Sequence, residues 1–265
     1  MSNTSTQSRP LLQSVLTLNP GITLVWAMVL VSWSLIILAA LTGNEHLFHP
    51  TMATTQPTVQ KLLVFLLAWL VMTIAMMLPT SLPLITLFMQ VSQKQSQPRS
   101  LLAVFLSAYA AIWIGFAIVL LIGDWAIHHW LDRWHWLHQH PGAIAGSTLL
   151  IAGAFQFSSL KEQCMSVCRH PMSFLTHHYQ RGLKAAWNLG LRHGLYCLGC
   201  CWALMLVMFG VGVAHLTWMV ALTGIMLFEK TTRWGKAIAP FVGIALLASA
   251  LLALVLPSGL SIPLH

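Results

Sequence analysis

Acidic residues are scarce in this chain of 265 residues. Only five Asp and Glu are present, charged residues make up 7% of the sequence, and 57% of it is hydrophobic. An ordinary soluble domain carries roughly 25% charged residues, so this chain has too few charges to cover a water-soluble globule. Apolar runs of about 18 or more residues recur along it, as membrane-spanning helices require. The sequence therefore excludes a soluble domain and predicts a polytopic membrane protein.

Several signals of catalysis and targeting are also absent. The sequence contains no Walker loop, Ser/His/Asp arrangement, paired catalytic carboxylates or His-Glu-x-x-His motif, which favours a binding protein or transporter over an enzyme. The polar start and the long apolar run that follows, at about 22–41, favour a first membrane anchor over a cleavable signal peptide. The five cysteines form two short clusters, so no secreted disulfide framework is expected.

The basic residues predict orientation in the membrane and not a nucleic-acid partner. The formal net charge is +8, but the Lys and Arg residues lie between apolar runs, where they set topology. With the N-terminus in the cytoplasm, only Lys61 and Arg133 fall outside. The other Lys and Arg residues are then assigned to the cytoplasmic side, among them Lys161, Arg169 and Lys230.

The predicted fold is an all-α transmembrane bundle that forms a single domain over residues 1–265. It comprises a polar tail (1–20), a motif-bearing core (61–236) and an amphipathic segment at the outer interface (124–140), whose histidines are expected to be mostly solvated. Seven spans are predicted. The fifth and sixth apolar segments fit a tight hairpin, a re-entrant pair or one broken helix, so the alternative is six spans with a re-entrant segment. The seven apolar segments are 22–42, 61–89, 101–123, 143–160, 188–209, 214–230 and 237–256.

The fifth segment carries a stripe of soft metal ligands. On a helix its spacings of three and four residues place the members of the stripe on one face, and Cys200 lies beside them. Thiolate, thioether and imidazole suit Cu(I), with zinc as a second candidate, and the lack of Asp and Glu argues against magnesium or calcium. Ordinary packing of Cys and Met is the alternative. The stripe consists of His193, Cys197, Cys201, Met205 and Met208.

A second cysteine pair lies where the fourth segment reaches the cytoplasm. Cys164 and Cys168 are four residues apart, so on a helix their sulfurs share one face and supply two ligands to an ion. The remaining ligands must then come from elsewhere. The alternative is two unpaired thiols that the cytosol keeps reduced.

Methionines and prolines mark the second segment. Met72 and Met76 share a helix face, Met77 is rotated away from it, and Pro79 and Pro83 are expected to kink or break the helix. At about 1.5 Å per residue, this segment and the fifth bring their sulfur atoms to overlapping depths in the inner half of the bilayer. The sequence thus predicts one site or a short series of sites between the midplane and the cytoplasm.

Two carboxylates lie near cytoplasmic helix ends. Both Glu162 and Glu229 are expected to reach headgroup water, although Glu229 is placed to neutralise a bound cation or to relay a proton.

The sulfur motifs resemble those of a family of bacterial integral membrane proteins described as predicted metal-binding, domain-of-unknown-function family 2182. The resemblance covers about residues 61–236, with Ser158-Ser159 where the family usually has Thr-Pro. It implies metal binding at the same Met, Cys and Glu positions, and a bacterial inner membrane. The motifs are Met72-x-x-x-Met76-Met77-x-Pro79, Cys164-x-x-x-Cys168-Arg169-x-Pro171, Cys197-x-Gly199-Cys200-Cys201-Trp202 and Glu229-Lys230.

Three functions are compatible with these residues. The first is an inner-membrane protein that binds a soft metal, copper(I) foremost, and transports it or delivers it to a partner such as a metallochaperone. The second is a membrane thiol-disulfide oxidoreductase in which Cys197 and Cys200 exchange with Cys164 and Cys168, although these cysteines are predicted to face the reducing side. The third is a structural subunit of a larger membrane complex.

Overall fold

The computed structural model describes residues 20–43, 59–131, 141–211 and 216–255, and throughout these ranges the regular structure is helical. The predicted all-α class is therefore confirmed. The polar tail, the second half of the 124–140 segment and the link between the fifth and sixth apolar segments lie outside the described residues. The helices are α1 Pro20–Leu41, α2 Val59–Ser92, α3 Pro98–Leu131, α4 Pro141–Phe155, α5 Ser159–Arg169, α6 Pro171–His178, α7 Leu183–Val211, α8 Leu216–Thr231 and α9 Gly235–Val255.

Five of these helices are long and apolar enough to cross a bilayer, as a multi-pass membrane protein requires. Large apolar side chains such as Leu30, Leu41 and Leu251 point away from the protein interior, which suits contact with lipid. The five stretches are Pro20–Leu41, Val59–Ser92, Pro98–Gly123, Leu183–Met208 and Gly235–Val255.

The fourth and sixth predicted segments form shorter helices. α4 has 15 residues and α8 has 16, so at about 1.5 Å per residue each covers less than a hydrocarbon core of about 30 Å. The fourth segment also ends early, at Phe155, because Ser158 begins a new helix: its hydroxyl accepts the backbone N–H of Leu160 at 3.1 Å. The two helices are thus separate although no proline stands between them, and a count of seven spans stays a prediction.

The prolines of α2 do not break the helix. α2 continues through Pro79 and Pro83, so of the two expected outcomes, a kink or a break, the break does not occur. Pro79 has no N–H to donate to the carbonyl one turn earlier, and the indole N–H of Trp33 on α1 donates to that carbonyl, at Ala75, over 3.0 Å. The Ala75 carbonyl, which Pro79 leaves without a backbone donor, thus accepts a hydrogen bond that connects α1 and α2.

Small residues let α7 pack closely against its neighbours. A Cβ atom at Gly190 would overlap the backbone carbonyl of Phe105 on α3, and one at Gly194 would lie 3.0 Å from the side chain of Ile112. Such close backbone approach is typical of membrane helix pairs, where packing rather than burial from water drives association. α7 also contacts α4 and α5, so the helix with most of the cysteines lies in the centre of the bundle.

Candidate metal site

The two predicted cysteine clusters meet between α5 and α7. Cys197, Cys200 and Cys201 are buried on α7, where the Cys200 sulfur lies 3.4 Å from that of Cys201. The sulfur of Cys168 on α5 lies 4.0 Å from the Cys200 sulfur, and it is partly exposed. All five cysteines are free thiols. We call Cys164, Cys168, Cys197, Cys200 and Cys201 the thiol cluster.

Cys164 reaches the cluster because α7 has a glycine opposite it. A Cβ atom added to Gly199 would lie 2.6 Å from the Cys164 sulfur, so only a glycine leaves room for this thiol. α5 buries Lys161, Cys164 and Met165 on one face, the i, i+3, i+4 pattern of an amphipathic helix. Burial also raises the pKa of the Cys164 thiol, so a metal must displace a proton to bind there.

Cys197 is surrounded by polar groups that the sequence did not identify as part of a site. The Lys230 Nζ atom lies 3.2 Å from the Cys197 sulfur and 3.1 Å from the Thr80 hydroxyl, which puts α2, α7 and α8 in contact. The Tyr109 hydroxyl on α3 lies 3.1 Å from the same sulfur. The Glu229-Lys230 motif is the sequence signal for Lys230, which the basic-residue pattern assigns to the cytoplasmic side.

Glu229 is fully buried, so the expectation that it reaches headgroup water is wrong. Its Oε2 atom accepts a hydrogen bond from the buried ammonium of Lys161 at 2.7 Å, and Lys161 also donates to the Gln156 side-chain carbonyl. The other carboxylate oxygen, Oε1, has no hydrogen-bond partner among the described residues. Glu229 is therefore already balanced by a cation of the protein and is not a free charge that awaits a metal.

Arg169 joins the cluster to the last turn of α8. Its Nε atom donates to the Glu229 backbone carbonyl at 2.7 Å, and its Nη2 atom donates to the same oxygen, as basic side chains do at helix C-termini. A Cβ atom at Gly235 would lie 2.6 Å from this guanidinium. The second carboxylate, Glu162, is exposed as expected, and the hydrogen bond from Lys236 lowers its pKa.

His193 lies on the predicted face of α7, where it contacts a serine hydroxyl and aromatic rings. Its Nε2 atom is 3.0 Å from the Ser81 hydroxyl, and its ring stacks on those of Phe105 and Tyr109. Both methionines of the stripe and the three that the sequence singles out on α2 are buried in the core that holds the buried thiols. These methionines are Met72, Met76, Met77, Met205 and Met208.

The donor geometry suits an ion that needs few ligands. Across the described ranges, no group of three or more His, Cys, Asp or Glu side chains is arranged to hold a metal ion. A structural zinc site needs four such ligands in a tetrahedron, whereas Cu(I) accepts a pair of thiolates and thioether neighbours. The described residues bring thiols together in pairs, such as Cys168 with Cys200.

Comparison with known proteins agrees with this chemistry. No curated protein and no solved structure matches the chain. A family described as PpoB2, copper chaperone, matches residues 66–253, a stretch that contains the whole thiol cluster and Met72, Met76 and Met77 of α2. Because the match covers well over half of the sequence, the chain belongs to the PpoB2 copper chaperone family.

Proposed function

We propose that this protein binds Cu(I) inside the bacterial inner membrane and delivers it to a partner protein. The contact between Cys168 on α5 and Cys200 on α7, 4.0 Å between sulfurs, carries the proposal, because it joins two cysteine motifs that are far apart in the sequence. Buried, soft donors select Cu(I) over hard cations. The copper chaperone family supports delivery of the ion as the outcome.

The methionines supply weaker ligands beside the thiols. Met205 and Met208 follow Cys201 along the same face of α7, and Met76 lies in the same core from α2. Thioethers carry no charge and hold copper less tightly than thiolates do, so a series of both types lets an ion move between sites. With the N-terminus in the cytoplasm, the thiolate end of this series is nearer the cytoplasmic face.

Copper content per chain tests the proposal. The protein is purified in detergent under reducing conditions, loaded with Cu(I) or Zn(II), desalted and measured by atomic spectroscopy. We expect wild-type protein to retain copper, and Cys168→Ser, Cys200→Ser and the double variant Cys197→Ser/Cys201→Ser to lose most of it. Met172→Leu is the control for replacing a sulfur side chain outside the thiol cluster, because Met172 is exposed on α6. Unchanged copper in the double variant would contradict the proposal.

A thiol-disulfide oxidoreductase remains the second candidate, favoured by the same pair. A disulfide bond is about 2.05 Å long, so the sulfurs of Cys168 and Cys200 need to approach by only about 2 Å to form one. Mass spectrometry of the protein alkylated in intact cells distinguishes the two functions. A Cys168–Cys200 disulfide that forms and is reduced during growth would favour the oxidoreductase, whereas thiols reduced throughout would favour copper binding.

A further inference from the structure

We propose that Lys230 is the counter-cation of the copper-loaded site and that its charge makes the site prefer monovalent copper to divalent zinc. This inference rests on the proposed function and names the residue that sets its ion specificity.

Lys230 is a buried ammonium without a carboxylate partner in the part of the chain that the structure describes. Its side chain is 6% exposed, and its Nζ atom contacts the Cys197 sulfur and the Thr80 hydroxyl. Burying a charge is costly unless an opposite charge or a set of hydrogen bonds compensates it. The Thr80 hydroxyl provides a hydrogen bond but no charge, so the compensating anion must come from the thiol cluster.

The other cations of this region are already compensated or solvated. Lys161 is paired with Glu229 at 2.7 Å. Arg169 is partly exposed and bound to a backbone carbonyl. Lys230 is therefore the basic group whose charge is left for the thiol cluster to balance, and its contact with that cluster is at the Cys197 sulfur.

The charge of the loaded site then depends on the ion. When Cu(I) binds two thiols, two protons leave and the complex carries one negative charge, which the ammonium of Lys230 neutralises. When Zn(II) binds the same two thiols, the complex is neutral and the ammonium stays uncompensated inside the protein. A low-dielectric site amplifies this difference, so Lys230 favours the monovalent ion.

Four variants separate the effect of the Lys230 charge from the effect of its side-chain shape. Lys230→Met removes the charge, Lys230→Gln also removes it but keeps a donor to Thr80, and Lys230→Arg keeps the charge. Lys236→Met is the matched control, because Lys236 is an exposed lysine, paired with Glu162. Cu(I) affinity is measured by competition with a chromogenic Cu(I) chelator, and Zn(II) affinity by competition with a zinc indicator.

We expect Lys230→Met and Lys230→Gln to weaken Cu(I) binding by at least about tenfold. This is the factor by which a nearby opposite charge changes the equilibrium constant of a single ionisation. Zinc should bind these two variants as tightly as it binds wild type, or more tightly. Lys230→Arg should keep the preference for copper, and Lys236→Met should match wild type. Equal weakening of both ions, or no change in either, would overturn the inference. A wild-type protein that binds no Cu(I) would instead overturn the proposed function itself.

Discussion

The buried pair of Lys161 and Glu229 gives a quantitative prediction about stability. The two side chains are 4% and 0% exposed and their charged atoms are 2.7 Å apart. At an effective dielectric constant of about 20, this separation corresponds to an attraction of about 6 kcal/mol. Desolvation of each ion costs several kcal/mol in the opposite direction, so the pair as a whole contributes little net stability.

Removal of one partner has a much larger effect than removal of both. Lys161→Met leaves the Glu229 carboxylate buried without its cation, and Glu229→Gln leaves the Lys161 ammonium without its anion. We expect each single variant to lose about 3–5 kcal/mol of unfolding free energy, and the double variant to recover most of that loss. Such a loss is a large part of the 5–15 kcal/mol that a typical protein has.

Denaturant unfolding in detergent micelles, followed by the fluorescence of the 12 tryptophans, measures these differences in a double-mutant cycle. Lys236→Met serves as the control, because it breaks an ion pair whose side chains are 64% and 67% exposed, and we expect no measurable loss from it. Two results would refute the reasoning: single variants that each cost less than about 1 kcal/mol, or a double variant whose loss equals the sum of the two.

Three further predictions concern single contacts. Gly199→Ala should displace the Cys164 sulfur, lower the copper content per chain and cost about 1–3 kcal/mol in unfolding; unchanged copper content would show that this thiol is no ligand. Trp33→Phe should cost about 1–3 kcal/mol in the same unfolding assay, because the Ala75 carbonyl loses its donor; a wild-type stability would contradict that role. In alkylation followed by mass spectrometry, the partly exposed Cys168 should react before the buried thiols and should be protected by bound copper; simultaneous labelling of all five would refute this order.

Hydrophobic patterning predicts the helices of this fold well and their ends poorly. Each of the seven apolar segments contains a helix, because a run of apolar residues needs internal backbone hydrogen bonds in lipid. The end of α4 was missed because hydropathy averaged over a window does not detect a capping residue such as Ser158. The pairing of the Ala75 carbonyl was missed because its donor is Trp33, on a different helix.

Sequence patterns locate the cysteines of the site but not its buried charged residues. Helical spacing places Cys197 and Cys201 on one face, and they are buried together on α7. Basic residues next to apolar runs are ordinarily topology signals, so this reasoning assigns Lys161 and Lys230 to the cytoplasmic side and predicts no buried partner for either. Their burial depends on partners distant in sequence, Glu229 and Cys197, and only tertiary structure reveals these partners.

The burial of the thiols favours a particular order for the transfer of an ion. Cys197, Cys200 and Cys201 are at most 1% exposed, so an external donor cannot reach them directly. Cys168 is partly exposed on α5 and its sulfur lies 4.0 Å from that of Cys200, which in turn lies 3.4 Å from that of Cys201. Under the proposed function, a copper ion would pass between thiolates by exchange of ligands, and these short steps would provide its path from the accessible thiol to the buried ones. A chaperone that releases its ion can use the same path in reverse, since no step requires the ion to leave sulfur.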